Sequence, residues 1–166
     1  METFSVTGSP TNYASFGRRL VAFIIDALVL GVAQTIVIAP LMALVGFGAA
    51  SNAESLENMS DQQSLGLASG IVGASLVIQI VSLAMGGVYF VLMESSARQA
   101  TLGKMAMGLR VTDINGGRIT PTAAILRYIG RIVSSMILFI GYIMAAFTEK
   151  KQALHDLIAS TLVLKN

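Results

Sequence analysis

Two long apolar runs organise the chain. The first, Leu20 to Ala50, contains one charged residue, Asp26, and the second, Leu65 to Met93, contains none. Each exceeds the roughly 20 residues that cross a ~30 Å hydrocarbon core, so each predicts a transmembrane helix. The first is too long for one straight crossing, and Pro40 lacks a backbone donor and clashes with the preceding turn. A helix from about Phe16 to Ala39 is therefore expected, with a less regular extension to Ala50. The second helix is expected over 65–93. Its Gly66 and Gly70 form a GxxxG of the kind that lets helix backbones approach closely, with packing inside one subunit favoured over an oligomer interface.

Polar stretches separate these runs. Residues 1–15 show no apolar periodicity and read as a mobile tail. The run that follows is longer than the roughly 7–15 apolar residues of a cleavable signal, so it should stay in place. The connector 51–64 carries Glu54, Glu57 and Asp61 and no Lys or Arg. Residues 94–120 are basic, with Arg98, Lys104, Arg110 and Arg118. Gly103-Lys104 does not complete a phosphate loop, which needs GxxxxGK followed by Ser or Thr; Met105 follows here. Within LRVTDINGGRIT, Leu109 to Thr120, Asn115-Gly116 is a strong turn signal between β-branched residues and predicts a short hairpin.

Pro121 suits the first turn of a helix. The third segment, 121–148, carries no charge apart from Arg127 and Arg131, which share a helix face four residues apart. It is barely long enough to cross, and it either spans or dips in as a re-entrant segment. Residues 149–166 read as a short amphipathic helix followed by an extended TLVL. The fold expected is all-α and transmembrane: a small helical bundle with two firm spans, a third spanning or re-entrant segment, and a short cytoplasmic β-hairpin, with 16–166 as one membrane domain.

Composition supports the membrane reading. The 166 residues are 54% hydrophobic and only 12% charged, with a mean hydropathy of +0.73, against about 25% charged in soluble domains. There is no cysteine and a single histidine, His155, which excludes thiol chemistry and a cluster of soft metal ligands. Ser134, Ser135, His155 and Asp156 make a hydrolytic set only on paper, because a triad is recognised by geometry; no catalytic residues, metal or cofactor are expected, and no nucleic-acid partner. Lys and Arg favour short cytoplasmic loops, which places the basic tract and the N-terminus in the cytoplasm and the acidic connector outside.

The stretches YASFGRRLVAFIIDALVLG (Tyr13 to Gly31), TLGKMAMGLRVTDINGGRIT (Thr101 to Thr120), LRYIGR (Leu126 to Arg131) and QALHDLIASTLVL (Gln152 to Leu164) resemble the RDD family of small membrane proteins. The resemblance makes Arg19 and Asp26 the first two of the residues that name the family, with Arg18 as the alternative arginine, and Asp156 the third. It implies a bacterial inner-membrane protein with a proposed part in transport, cation/proton exchange being suggested for some members.

A charge inside a span costs roughly 2.5–3.5 kcal/mol on insertion scales and is usually buried and paired. Arg19 and Asp26 lie about 10.5 Å apart along one helix face, and Arg19 leans away toward the headgroups. Asp26 therefore needs a partner from elsewhere, and depth points to Arg131, with Arg127 second. His155 and Asp156 are expected near Arg19 or Arg127, with neighbouring charges tuning the imidazole near neutral pH. The network is read as a clamp in a structural or accessory membrane subunit embedded in the lipid bilayer. The alternative is transport of a monovalent cation, a proton or a small solute, by a homo-oligomer or with a larger membrane partner.

Overall fold

A computed structural model of the chain describes residues 12–50, 60–136 and 140–165. Most of the expected tail, 1–11, and most of the acidic connector, 51–59, lie outside the described residues.

The first apolar run forms α1, Phe16–Ala50, a single helix that continues through Pro40. The break expected at Pro40 is thus absent. In hydrocarbon, abandoning the helix would strand several backbone groups without partners, a greater cost than one missing donor. The second run forms α2, Asp61–Ser95, which starts four residues before Leu65. Its start is written in the sequence as a capping box: Gln63 N–H donates to Ser60 Oγ at 3.4 Å, and Ser60 N–H donates back to Gln63 Oε1 at 3.0 Å. These two helices are long and apolar enough to cross a membrane.

The chain divides into two units, Leu28–Val88 and the remainder, Met1–Ala27 with Tyr89–Asn166. In the first, Leu28, Val32, Ile36, Ile71, Leu76 and Ile80 are exposed apolar side chains, the surface that hydrocarbon would cover. Gln34 Nε2 donates to the Ser82 carbonyl at 3.1 Å. A Cβ added at Gly66 or Gly70 would meet nothing within 4 Å, so the GxxxG packs on no described residue of this chain.

The second unit holds the chemistry. After α2 come α3, Leu102–Ala106, and β1, Leu109–Asp113. The turn expected at Asn115-Gly116 forms, with Asp113 Oδ1 accepting from the N–H groups of Asn115 at 2.8 Å and Gly117 at 2.7 Å. The hairpin does not extend from it: the return is one isolated bridge, Thr112 to Arg118. The antiparallel partner of β1 is instead β2, Thr161–Lys165, with Val111 opposite Val163. β2 buries Leu162 and Val163, whereas the residues after Gly117 offer only Ile119 to the core. Residues 12–14 bind the other edge of β2, through Ala14 N–H to the Val163 carbonyl at 2.9 Å. Ala14, Ala22, Leu109, Val111, Ile119, Ala124 and Val163 make the apolar core.

The third segment contains α4, Pro121–Met136, then α5, Ile140–Ile143, and a 3-10 turn, Met144–Ala146. Sixteen residues of helix reach about 24 Å, short of the ~30 Å core. A third span is not shown. α4 is strongly two-sided: Ala124, Arg127, Gly130, Arg131 and Ser134 are buried, while Ile125, Leu126, Ile129, Val133 and Met136 are exposed. The short helix α6, Leu154–Ile158, packs on α4 and leads into β2. Gly130 makes that packing possible, since a Cβ there would stand 2.9 Å from His155 Cα.

Candidate functional site

Helical spacing on α1 puts Arg19, Ala22 and Asp26 on one face, and the same logic on α4 presents Arg127, Gly130, Arg131 and Ser134. The end of α2 adds Tyr89, Phe90 and Glu94, α3 adds Gly103 and Lys104, and α6 adds His155 and Asp156. Asp26, Glu94, Lys104, Arg127, Arg131, His155 and Asp156 are all buried, and they form two linked arrangements.

The first surrounds Asp26. Its Oδ1 accepts from the Tyr89 hydroxyl at 2.7 Å and from Gly103 N–H at 2.7 Å, and its Oδ2 accepts from the Thr101 hydroxyl at 2.5 Å. Tyr89 is fixed in turn by Leu102 N–H, which donates to its oxygen at 3.0 Å. The carboxylate thus closes the start of α3, beside Thr101 as N-cap. This proximity requires glycine at 103, because a Cβ there would collide with the Ala22 carbonyl and lie 2.9 Å from Asp26 Cγ. The pairing expected between Asp26 and Arg131 or Arg127 does not occur. Among the described residues no ion pair reaches Asp26; three neutral donors, which need no counter-charge, occupy the positions a guanidinium would take.

The second is an ionic chain. Glu94 binds three cations: Lys104 Nζ and Arg131 Nη2 meet Oε1, and Arg127 Nε donates to Oε2 at 2.9 Å. Arg127 also binds Asp156 Oδ1 and the Thr161 hydroxyl. Asp156 Oδ2 accepts from Arg19 and from Ala153 N–H, the latter at 3.1 Å. Arg127 is 1% exposed and Asp156 0%, so the link between Glu94 and Asp156 runs through the interior. Arg131 also stacks over Phe90, its Cζ 4.1 Å from the ring centroid, a cation–π contact.

These surroundings set the ionisation of the groups outside the long helices. Burial alone would raise the Asp156 carboxyl, but Arg127 and Arg19 outweigh it and hold Asp156 well below the usual carboxylate range. Burial pushes the His155 imidazole well below its ordinary value; Asp156 opposes this, and Arg127, Arg131 and Lys104 reinforce it. The expectation of an imidazole tuned near neutral pH therefore fails, because burial among cations outweighs one neighbouring carboxylate. Burial also lowers the Lys104 ammonium to about 7 in spite of Glu94.

Among the six residues singled out from the sequence, Arg19, Asp156, Arg127 and Arg131 enter the ionic chain, His155 Nε2 stands 3.5 Å from Asp156 Oδ1, and Asp26 belongs to the neighbouring arrangement. Sequence reasoning missed Glu94, Lys104, Tyr89, Thr101 and Gly103. Glu94 carried a usable signal as the first charge after an uncharged run of apolar residues, the counterpart of Asp26 in the first run. Beside these charges lies a cavity of about 190 Å³. Three carboxylates and a lone imidazole, every carboxylate already bonded, offer no metal cluster among the described residues.

Comparison with known proteins agrees with the sequence pattern. The model of the RDD family matches residues 13–160. The uncharacterized protein YxaI of Bacillus subtilis (strain 168) is 32% identical over 151 residues, covering 91% of this chain and 96% of that protein. The uncharacterized membrane protein YteJ of the same organism is 32% identical over 154 residues, covering 92% of this chain and 80% of that one. No solved structure matches the chain.

Proposed function

The chain is a membrane protein of the RDD family, and from that premise we propose that it is a structural or accessory membrane subunit, without enzymatic activity, whose buried ion network docks its segments. The observation that carries this reading is Arg127, which holds Glu94 of α2, Asp156 of α6 and Thr161 of β2 at once. Residues far apart in sequence are thereby fixed in one register. A buried ion network adds little net stability over a well-packed apolar one, yet breaking it by removing one member is costly. That asymmetry suits a device that enforces one arrangement.

Ion or proton exchange is the second reading, and it draws on Asp26. A buried carboxylate held by neutral donors alone is not locked in an ion pair, and intramembrane ionisable groups commonly mark ion pathways. On this reading the chain acts as a homo-oligomer or with a larger membrane partner. Reconstitution separates the two. Under docking, vesicles holding the purified protein show no cation-driven change of internal pH beyond that of empty vesicles. Flux that Asp26→Asn abolishes while leaving thermal stability unchanged would overturn docking in favour of exchange.

A further inference from the structure

The segment 121–148 leaves from and returns to one small sheet. It follows β1 and precedes β2, and these strands pair with each other, Asp113 opposite Thr161. The stretch just before α1 joins the same sheet: Lys165 N–H donates to the Asn12 carbonyl at 2.8 Å. The stretch just after α2 joins it too, with Val111 N–H donating to the Gln99 carbonyl at 2.7 Å. Arg110 on β1 and Arg118 beside it are exposed, and neither such charges nor open sheet edges are tolerated against lipid in the hydrocarbon region. The sheet therefore lies outside that region, on the side where α1 starts and α2 ends. A segment tethered to it at both ends does not finish across the membrane.

The outer face of this segment has the opposite need. On α4, Ile125, Leu126, Ile129, Val133 and Met136 are exposed and fall within an arc of about 100° at 100° per residue, while Arg127 and Arg131 are buried on the other side. No charged residue stands between Arg131 and Glu149. Such a stripe is a liability in water. Ring contacts with the long helices give its depth. Tyr128 of α4 stacks on Phe90 with centroids 6.2 Å apart, and Phe90 lies about 7.5 Å along α2 from its end at Ser95, at 1.5 Å per residue. Tyr142 of α5 meets Phe23 at 5.7 Å, about 10.5 Å along α1 from Phe16. Both depths fall within the ~15 Å of one leaflet, half of the ~30 Å core. Leu20, Ile24 and Leu92, beside these contacts on α1 and α2, are exposed as well.

From this placement we propose that residues 121–148 form a re-entrant wedge, which enters one leaflet and leaves it on the side of the sheet, with the stripe from Ile125 to Met136 seated against the acyl chains of that leaflet. Lipid is the occupant because the stripe shares its depth with exposed side chains of both spanning helices. The chain then crosses the membrane twice, and Lys150, Lys151 and Lys165 stay on the side of Arg98, Arg110 and Arg118, as basic residues of short cytoplasmic loops do. The wedge is separate from the docking role: docking uses the inward charges of α4, and the wedge uses its outward apolar face.

The chain has no cysteine, so single cysteines in the full-length protein report on this directly. In nanodiscs, spin labels at Ile129→Cys, Val133→Cys and Met136→Cys are read for collisions with oxygen, which concentrates in hydrocarbon, and with a polar nickel chelate, which stays in water. Oxygen collisions should exceed nickel collisions severalfold at all three, without dipolar broadening. These positions are exposed, so the ionic chain and the fold stay intact. In vesicles of one orientation, a membrane-impermeant maleimide should label Asn115→Cys and Lys150→Cys from one side and Gln62→Cys, in the first turn of α2, from the other. Labelling of Lys150→Cys together with Gln62→Cys would mean a full crossing and overturn the proposal. It is overturned equally if nickel collisions prevail, which would place the stripe in water, or if the labels are shielded from both probes or broadened, which would mean that a second copy of the chain covers the stripe.

Discussion

Replacing Arg127 by methionine keeps an unbranched apolar stem of similar course while removing the guanidinium. Glu94 Oε2 then loses its charged donor, held at 2.9 Å. Asp156 Oδ1 loses its guanidinium too and, among the described residues, keeps only His155 Nε2, 3.5 Å away. Each lost charge-assisted bond is worth about 1.5–3 kcal/mol, and breaking a buried pair by removing one partner costs about 3–5 kcal/mol. Two such losses at one 1%-exposed residue place the destabilisation at about 4 kcal/mol, the middle of that range. At roughly 2–4 °C per kcal/mol for a chain of this size, Tm should fall by about 10 °C. The assay is thermal unfolding of purified protein in a fixed detergent, followed by circular dichroism. Arg127→Lys should recover less than half of the loss, since an ammonium cannot serve two carboxylates in fork geometry. A fall of less than about 2 °C for Arg127→Met, under 1 kcal/mol on the same scale, would mean that this residue does not tie the interior together.

Other expected outcomes rest on separate contacts. Gly103→Ala should lower stability by about 1–3 kcal/mol through overpacking against the Ala22 carbonyl and Asp26, measurable as a drop in Tm; an unchanged Tm would mean that α3 does not approach α1 this closely. Tyr89→Phe removes one of the donors to Asp26 and should cost about 1–3 kcal/mol in the same assay, whereas loss of a merely apolar contact would leave Tm nearly unchanged. Acidification should destabilise the protein from about pH 6.5 downward: the unfolded imidazole takes up a proton near its ordinary value, while His155 in the fold does not, so its contribution is present above that pH and lost as pH falls. Asp156, whose carboxyl is also depressed, adds a further loss below about pH 4. His155→Gln should flatten the upper part of the Tm profile between pH 7 and 5 and leave the lower part in place.

The long helices were legible because one-dimensional signals specify them. Apolar run length gave both spans, but it placed the start of α2 at Leu65, four residues late, because the polar first turn from Asp61 that Ser60 and Gln63 cap carries no apolar signal. The two-sided face of α4 was visible in the spacing of Arg127 and Arg131. What stayed hidden depends on contacts between remote residues. Asn115-Gly116 predicted its turn correctly, but nothing local could show that β1 pairs with residues 161–165 rather than with 119–120. Asp26 drew attention to charged partners because charge is easy to see in an apolar run. Its actual partners, a tyrosine hydroxyl, a threonine hydroxyl and a glycine N–H, look unremarkable in sequence. Pro40 misled for the opposite reason: its local preference is strong, and the demand for backbone hydrogen bonding in hydrocarbon overrides it.

If Arg127 and Asp156 act as one interior contact, a double-mutant cycle of Arg127→Met and Asp156→Asn must reveal their coupling. Unfolding free energies of the two single variants and the double variant are compared with the parent in one detergent. A coupling of at least about 1.5 kcal/mol is expected, within the range for residues in one ionic network, because the second substitution removes the charge that the first left stranded. Additivity within about 0.5 kcal/mol, as for distant independent sites, would mean that the two residues do not act as one contact.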